Sequence, residues 1–312
     1  MSLTNAQLTF YDHNVLRLPR DKRVEYNAQV DRLTSRLTNS LHTHTEYKVS
    51  RVIKAGSFAK HTILRRASGR SLDVDVAFYL AGRDVNHENY ASLSEDVHDL
   101  LVKLYPSKNV EDFEIQRRAA TVTFIGSGLD VDVVPIIADG ERDGYGYQFG
   151  SDGSKVETCV PGQLAFLRTR KDRDANFRTL VRLAKQWRHH HAVPGLKGYS
   201  LELVMAALLD RDGATASIES RFRTFLRFIA QRGLREVITF PENRGGVSFT
   251  SPVKLADPVN GQNNVGARIT ETELQIIETR AGEAYETATY ASVENDPTLW
   301  KEVFGPRFRV ED

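Results

Sequence analysis

The 312-residue sequence lacks several features that mark common protein classes. A single cysteine, Cys159, excludes an intramolecular disulfide framework and any zinc site built from several cysteines. Apolar runs fall short of the roughly 18 residues that cross a bilayer, and the first residues lack the apolar stretch of a signal peptide. Charge of one sign is not in excess, since 42 Lys and Arg face 41 Asp and Glu, which argues against a general nucleic-acid coat. We therefore expect a cytoplasmic protein without a membrane partner.

The composition is that of a globular enzyme. Hydrophobic residues make up 40% of the chain and charged residues 27%, which excludes a disordered chain. The length favours two domains. Because the pattern changes from mixed to mostly helical after Cys159, we predict a first domain over residues 1–158 and a helical domain over residues 159–312.

Hydrophobic periodicity predicts the order of the elements. Spacings of three and four indicate helices over 22–45 and 90–105, and alternation indicates strands over 47–53, 72–80, 120–125 and 129–137. In the second half we predict helices over 162–171, 174–191, 198–211, 217–232 and 271–289. The glycine-rich segment 140–154 is predicted to be a loop or a long hairpin tip, and the segment 240–268, rich in Gly, Pro and Asn, is predicted to be a long loop.

The pentapeptide LDVDV occurs twice, at 72–76 and 129–133. In a strand, residues two apart point to the same face, so Asp73 shares a face with Asp75, and Asp130 shares one with Asp132. Like charges on one sheet face repel each other, so four acids on apolar strands oppose folding unless a cation lies there. Mg²⁺ prefers such oxygen ligands, and two ions could clamp an in-line phosphoryl displacement. The alternative is a solvated sheet edge.

Gly56 and Ser57 follow the first predicted strand. Such a turn lets the backbone and a hydroxyl approach a phosphate closely, although most Gly-Ser pairs are plain turns. The order of Gly-Ser, Asp-Val-Asp on the next strand and a further Asp on a later strand is more specific than any of these parts.

This order, GS…DVD…VDVVP, resembles the signature of the DNA polymerase β-like nucleotidyltransferases. The stretches GSGLDVDVVP, VRLAKQW, DPVNGQNNVGAR and LWKEVFG resemble clade C of the bacterial CD-NTases, the cGAS/DncV-like cyclases of CBASS antiphage systems. The resemblance covers about residues 20–308. It implies an α/β (α+β) fold, with a polymerase β-like core, a long N-terminal helix and a C-terminal helical domain like those of oligoadenylate synthetase and cGAS. It also implies an active site in the cleft between the two lobes.

The resemblance assigns roles to residues of the first half. Gly56 and Ser57 would hold the donor triphosphate. Asp73 and Asp75 would bind two Mg²⁺ ions, for which Mn²⁺ could substitute. Asp132 would be the third carboxylate, which activates the attacking ribose hydroxyl.

Three further assignments have open alternatives. The face argument does not separate Asp130 from Asp132, and only the family pattern favours Asp132. Lys185 and Ser200 match residues that contact the triphosphate from the helical half. From the residues alone, Lys185 would be a snorkelling surface lysine and Ser200 a helix-capping or first-turn serine.

The resemblance implies synthesis of a cyclic oligonucleotide second messenger from nucleoside triphosphates, mainly ATP, with cyclic tri-AMP as the leading product. Partners in this clade include a HORMA-type regulator and a TRIP13-like ATPase, and a nucleic-acid activator is a less favoured alternative. The competing hypothesis is a linear oligoadenylate, or another polymerase β-like transfer to RNA or a small molecule.

Two local features of the sequence lead to further predictions. His61 stands where relatives often have glycine, so we expect an altered helix start there, without loss of activity. Arg178, Arg182, Lys185 and Arg188 recur at helical spacing. They predict either a cationic cleft for triphosphates or, more commonly, a solvated helix face.

Overall fold

The computed structural model describes residues 2–65, 71–81, 90–243 and 247–310. The chain forms two compact units. The sheet unit contains Leu18–Lys60 and the described residues from 71 to Leu164. The helical unit contains the residues up to Arg17, the short segment His61–Arg65 and the residues from Ala165 onward. Among the described residues, every helix is too short or too polar to span a membrane.

The sheet unit combines three α-helices with a mixed sheet. Its helices are α2 (Arg20–His44), α3 (Gly56–Ala59) and α4 (Leu93–Leu104). Its strands are β1 (Lys48–Lys54), β2 (Leu72–Ala81), β3 (Phe113–Gln116), β4 (Ala119–Phe124), β5 (Leu129–Ala138), β6 (Gly146–Phe149) and β7 (Lys155–Thr158).

The strand order of this sheet is β1-β2-β5-β4-β3, and the β6–β7 hairpin pairs with β5. The β2–β5 pair is parallel, whereas β1 and β4 run antiparallel to their neighbours. Both strands that carry LDVDV are therefore interior strands, side by side.

Alternation holds in the first half of β2, where Val74 and Val76 are buried while Asp73 is exposed. Further along the strand both faces are buried, since Ala77 and Tyr79 join a core cluster on the face of the aspartates. On α2, the predicted apolar stripe is buried, and the Tyr26 hydroxyl donates to the carbonyl oxygen of Ser127 at 3.2 Å. Burial of the apolar stripe is the main stabilisation of such a helix, because an isolated helix in water is only marginally stable.

The helical unit contains α1 (Asn5–Tyr11), followed by a π-helical turn (Asp12–Leu16), and the larger helices of the second half. These are α5 (Val160–Arg173, whose first turn belongs to the sheet unit), α6 (Phe177–His190), α7 (Gly198–Asp212), α8 (Ile218–Ala230), α9 (Glu271–Glu294) and α10 (Trp300–Phe304). The short strands β8 (Val237–Ile238), β9 (Lys254–Asp257) and β10 (Asn260–Asn264) form a small second sheet.

The predicted helices and strands are present at nearly the predicted positions. Segment 140–154 contains β6 and the tip of the β6–β7 hairpin, which agrees with the hairpin-tip alternative. The loop predicted over 240–268 is wrong in part, because β9 and β10 lie within it and pair with each other. That residues 1–158 and residues 159–312 each fold as an independent domain stays a prediction.

His61 has a φ of +59°, in the left-handed region that glycine adopts without strain. The histidine side chain is therefore held in a backbone conformation that suits glycine. The expected altered helix start is wrong, because His61 follows the end of α3.

Candidate active site

The four aspartates of the two LDVDV segments lie beside one another on adjacent strands. In the parallel β2–β5 ladder, Asp73 is opposite Asp130 and Asp75 is opposite Asp132. The valines between them are fully buried on the other face. The alternative of a solvated sheet edge is wrong, because both strands have neighbours on each side.

This arrangement concentrates negative charge. Asp73 reaches solvent, but nearby protein atoms partly desolvate its carboxyl and raise its pKa above its usual value, and the carboxylates of Asp130 and Asp75 raise it further. Burial raises the pKa of Asp132 to about 6, against the opposing effect of a hydrogen bond from Thr121, and the charges of Asp75, Asp73 and Asp130 add to the rise. Both shifts show that the site favours a positive charge or a proton.

Hydrogen bonds distinguish Asp132 from Asp130. Thr121, which faces Asp132 across the β4–β5 ladder, donates its hydroxyl to Asp132 Oδ1 at 2.6 Å. Gln116 Nε2 donates to the same oxygen at 3.3 Å. Asp130 Oδ1, by contrast, is buried without a hydrogen-bond partner. The structure thus orients Asp132 through polar neighbours, and the sequence carries no signal for Thr121 or Gln116 because their positions depend on strand register.

The sheet face that carries Asp73, Asp75, Asp130 and Asp132 is called the acidic face below. Gly56 begins α3 in close contact with this acidic face. Its φ is +58°, and a Cβ atom added there would lie 1.6 Å from Asp75 Oδ2. The Ala55 N–H also donates to the Asp75 carbonyl oxygen at 2.8 Å. The Gly-Ser segment and Asp75 therefore form one local structure, in agreement with the order of the motif. Ser57 lies in the same single turn of helix.

The donor set of this face fits a hard divalent cation. It consists of carboxylate oxygens, two of the aspartates have raised pKa values, and one buried carboxylate oxygen has no hydrogen-bond partner. In the described part of the chain, no three His, Cys, Asp or Glu side chains already converge with the geometry of metal ligands. Binding an ion at the aspartates would therefore involve rotation of their side chains.

Lys185 and Ser200 belong to the helical unit, on α6 and α7. Both residues are buried, at 5% and 1% exposure. The alternative of a snorkelling surface lysine is wrong, because Lys185 Nζ lies 2.7 Å from Glu202 Oε1 inside the unit. Ser200 is the third residue of α7, so the first-turn alternative agrees with its position.

The predicted solvated basic stripe on α6 is also wrong for its second arginine. Arg182 is 1% exposed, and its guanidinium binds both carboxylate oxygens of Asp12 at 2.5 and 2.6 Å. Thr179 donates to the same carboxylate at 2.9 Å. Sequence periodicity missed this contact, since Asp12 lies 170 residues away in the chain.

Comparisons with known proteins show the family of the chain. The family model "Second Messenger Oligonucleotide or Dinucleotide Synthetase domain" (SMODS) matches residues 1–163. The chain is 55% identical to "CBASS oligonucleotide cyclase CdnC" of Escherichia coli strain KTE188, covering 100% of this chain and 99% of that protein.

Two further comparisons cover nearly the whole chain. It is 32% identical to "Cyclic AMP-AMP-AMP synthase" of Escherichia coli strain MS 115-1, over 94% of each chain. Its fold matches the CdnC chain in the E. coli MS115-1 CdnC:HORMA-deltaN complex with a TM-score of 0.83, at 30% identity and 99% coverage of both chains.

Proposed function

The chain belongs to the SMODS family and, within it, to the CBASS oligonucleotide cyclases, which makes it a nucleotidyltransferase; we propose that it converts ATP into cyclic tri-AMP. The product assignment is supported by its 32% identity to a cyclic AMP-AMP-AMP synthase. The observation that carries the site assignment is the register of β2 and β5, which places two Asp-Val-Asp segments side by side.

We assign the chemistry to the acidic face of the sheet unit. Asp73, Asp75 and Asp132 would hold two Mg²⁺ ions, with Mn²⁺ as a substitute, and these would offset charge on the attacking and leaving oxygens. Asp132 Oδ1 is engaged by Thr121 and Gln116, and neither of those bonds uses Oδ2. This leaves Oδ2 to hold an ion, through which Asp132 would activate the attacking ribose hydroxyl.

Four residues would contact the nucleotide in this proposal. Gly56 and Ser57 would bind the donor triphosphate, because the missing Cβ at Gly56 allows the backbone to approach the acidic face. Lys185 and Ser200 would contact the triphosphate from the helical unit. Lys185 supplies a point charge, which is the usual role of a lysine at phosphate.

We also propose a HORMA-type regulator as a partner, on the basis of the similarity to a CdnC chain in complex with HORMA-deltaN. A TRIP13-like ATPase would act on that regulator. Activation by nucleic acid is the less favoured alternative, since the formal net charge is only +1. The cytoplasmic setting expected from the single cysteine stays a prediction.

Labelled ATP, CTP, GTP and UTP, singly and mixed, would test the reaction with Mg²⁺ or Mn²⁺. Products would be treated with phosphatase and identified by mass spectrometry, with the HORMA-type partner added in a parallel sample. We expect a phosphatase-resistant ring of three adenylates. The double variant Asp73→Asn/Asp75→Asn should make none, while Asp143→Asn, at an exposed aspartate paired with Arg51, should be as active as the wild type.

Other products would change the proposal in defined ways. A product that phosphatase digests would favour the linear oligoadenylate alternative. A resistant product that contains another base would correct the assignment of cyclic tri-AMP but leave the cyclase intact. Full activity of the Asp73→Asn/Asp75→Asn variant would refute the site assignment.

A further inference from the structure

Three polar groups converge inside the helical unit at Lys185. The ammonium donates to Glu202 Oε1 at 2.7 Å, to the Thr62 hydroxyl at 2.9 Å and to the Thr62 carbonyl oxygen at 3.3 Å. An ammonium group has three N–H bonds, so these acceptors define both its position and its orientation. Glu202 and Thr62 are each only 1% exposed, which keeps water from competing for the same bonds.

The three side chains form a closed hydrogen-bond network. The Thr62 hydroxyl donates to Glu202 Oε1, the same oxygen that accepts from Lys185. Each of the three side chains is therefore bonded to the other two. A buried network of this kind restricts its members to one arrangement, and the loss of one member disturbs the others.

The first turn of α7 leaves room for the lysine stem. A Cβ at Gly198 would lie 3.1 Å from Lys185 Cε, so the absence of a side chain there lets the stem pack closely against α7. Ser200, the other nucleotide-contact candidate of this unit, is two residues further on, and Glu202 follows in the next turn. The start of α7 thus carries both Ser200, a candidate nucleotide-binding residue, and Glu202, whose carboxylate binds Lys185.

We propose that Glu202 and Thr62 are positioning residues that hold the Lys185 ammonium ready for the triphosphate. This inference rests on the proposed role of Lys185 in nucleotide binding. A free lysine side chain loses much rotamer freedom when it binds a phosphate, and a pre-positioned one loses less. The bond to the Thr62 carbonyl oxygen is the longest of the three, so the ammonium exchanges that bond for a phosphate oxygen and keeps Glu202.

Calorimetric titration with a non-hydrolysable ATP analogue and Mg²⁺ tests this in the full-length protein without requiring turnover. We expect Glu202→Gln to weaken binding about tenfold, and Lys185→Met to weaken it at least as much. The double variant should bind no more weakly than Lys185→Met alone, because Glu202 acts through Lys185. Thr62→Ser, which keeps the hydroxyl, should bind like the wild type, whereas Thr62→Val should bind more weakly.

Glu219→Gln is the matched control. Glu219 is another fully buried carboxylate of the helical unit, which accepts the Leu3 N–H at 2.7 Å. Its replacement should lower the melting temperature without changing the affinity for the analogue. If Glu202→Gln fails to fold, the Thr62→Ser and Thr62→Val pair carries the same test.

The outcomes distinguish the positioning role of Glu202 and Thr62 from the proposed nucleotide binding by Lys185. Wild-type affinity in a folded Glu202→Gln variant would overturn the positioning role, and so would full additivity of the Glu202→Gln and Lys185→Met effects. Wild-type affinity in Lys185→Met would remove Lys185 from the nucleotide site. Absence of binding by the wild-type protein would contradict the proposed use of ATP.

Discussion

Gly56 is the residue at which a single added carbon atom should reduce the activity most. With a φ of +58° and a hypothetical Cβ 1.6 Å from Asp75 Oδ2, Gly56→Ala would strain the backbone and displace a carboxylate of the acidic face. We expect the activity of this variant to fall at least 100-fold, measured as product formed from labelled ATP. Gly126→Ala is the control, since no atom lies within 4 Å of a Cβ at that position. Equal activity of the two variants would contradict the assigned contact.

Asp132 should make the metal-free protein less stable as the pH rises. Its pKa is about 6 in the folded protein, against an ordinary value of 3.8, so the folded state binds the extra proton between these pH values. Stability is therefore lost as the pH rises through this window and stays lower at pH 7. We expect Asp132→Asn to melt about 2–5 °C higher than the wild type at pH 7.5 in EDTA, with the difference vanishing near pH 4.

Two controls accompany this comparison. Mg²⁺ should raise the melting temperature of the wild type more than that of Asp132→Asn. Hydrogen bonds from the Glu141 N–H and from Arg142 lower the pKa of Asp139, so Asp139→Asn should melt below the wild type at pH 7.5. An Asp132→Asn variant that also melts below the wild type at this pH would contradict the conclusion that the charged form of Asp132 destabilises the metal-free protein.

At the scale of elements, the π-helical turn is attached to α6 by a buried ion pair. Asp12 and Arg182 are 0% and 1% exposed, and each guanidinium-to-carboxylate contact is 2.5–2.6 Å long. Removing one partner leaves the other charged and buried, so Arg182→Met should lower the free energy of unfolding by about 3–5 kcal/mol. Urea denaturation followed by circular dichroism measures this.

An exposed ion pair provides the comparison for Arg182. Arg211 lies beside Asp212 at 2.7 Å, but their side chains are 52% and 42% exposed. Because solvent screens such pairs, Arg211→Met should change the free energy of unfolding by less than about 1 kcal/mol. A similar effect of both substitutions would show that burial of the Asp12–Arg182 pair does not determine its contribution.

The elements themselves were largely predictable from the sequence. The apolar stripe of α2 and the alternation of β2 and β5 are local patterns, and each predicted its own helix or strand. The loop predicted over 240–268 failed at β9 and β10, which become strands because each completes the other's backbone hydrogen bonds. Local propensity contains no information about such a partner. The individual elements α1, α10, β3, β6, β7 and β8 were not predicted.

At the scale of the whole molecule, the chain does not divide at one point. The side chains of Leu3, Leu8, Tyr11 and Leu16 lie in the core of the helical unit, and the Tyr11 ring centroid is 4.8 Å from that of Phe308. A fragment of residues 159–312 lacks these side chains. Since each large-to-small loss in a core costs about 2–5 kcal/mol and whole domains have about 5–15, we expect this fragment not to fold alone.

Circular dichroism melting of the 159–312 fragment, with and without a synthetic peptide of residues 1–17, tests this expectation. The fragment alone should show no cooperative transition, and an excess of the peptide should restore one. A peptide in which Tyr11 and Leu8 are replaced by serine is the control. Cooperative melting of the fragment by itself would instead support the predicted domain division at residues 158 and 159.

The sequence by itself determined the acidic faces, the Gly-Ser turn and the family, because these depend on side-chain period and on short motifs. Only the tertiary structure decided which aspartates are opposite each other, that Thr121 orients Asp132, and that Lys185 and Arg182 are buried with Glu202 and Asp12. The physical reason is that a strand's faces follow from its own residues. Register and buried ion pairs instead depend on segments that are distant in the chain, which the folded core brings together.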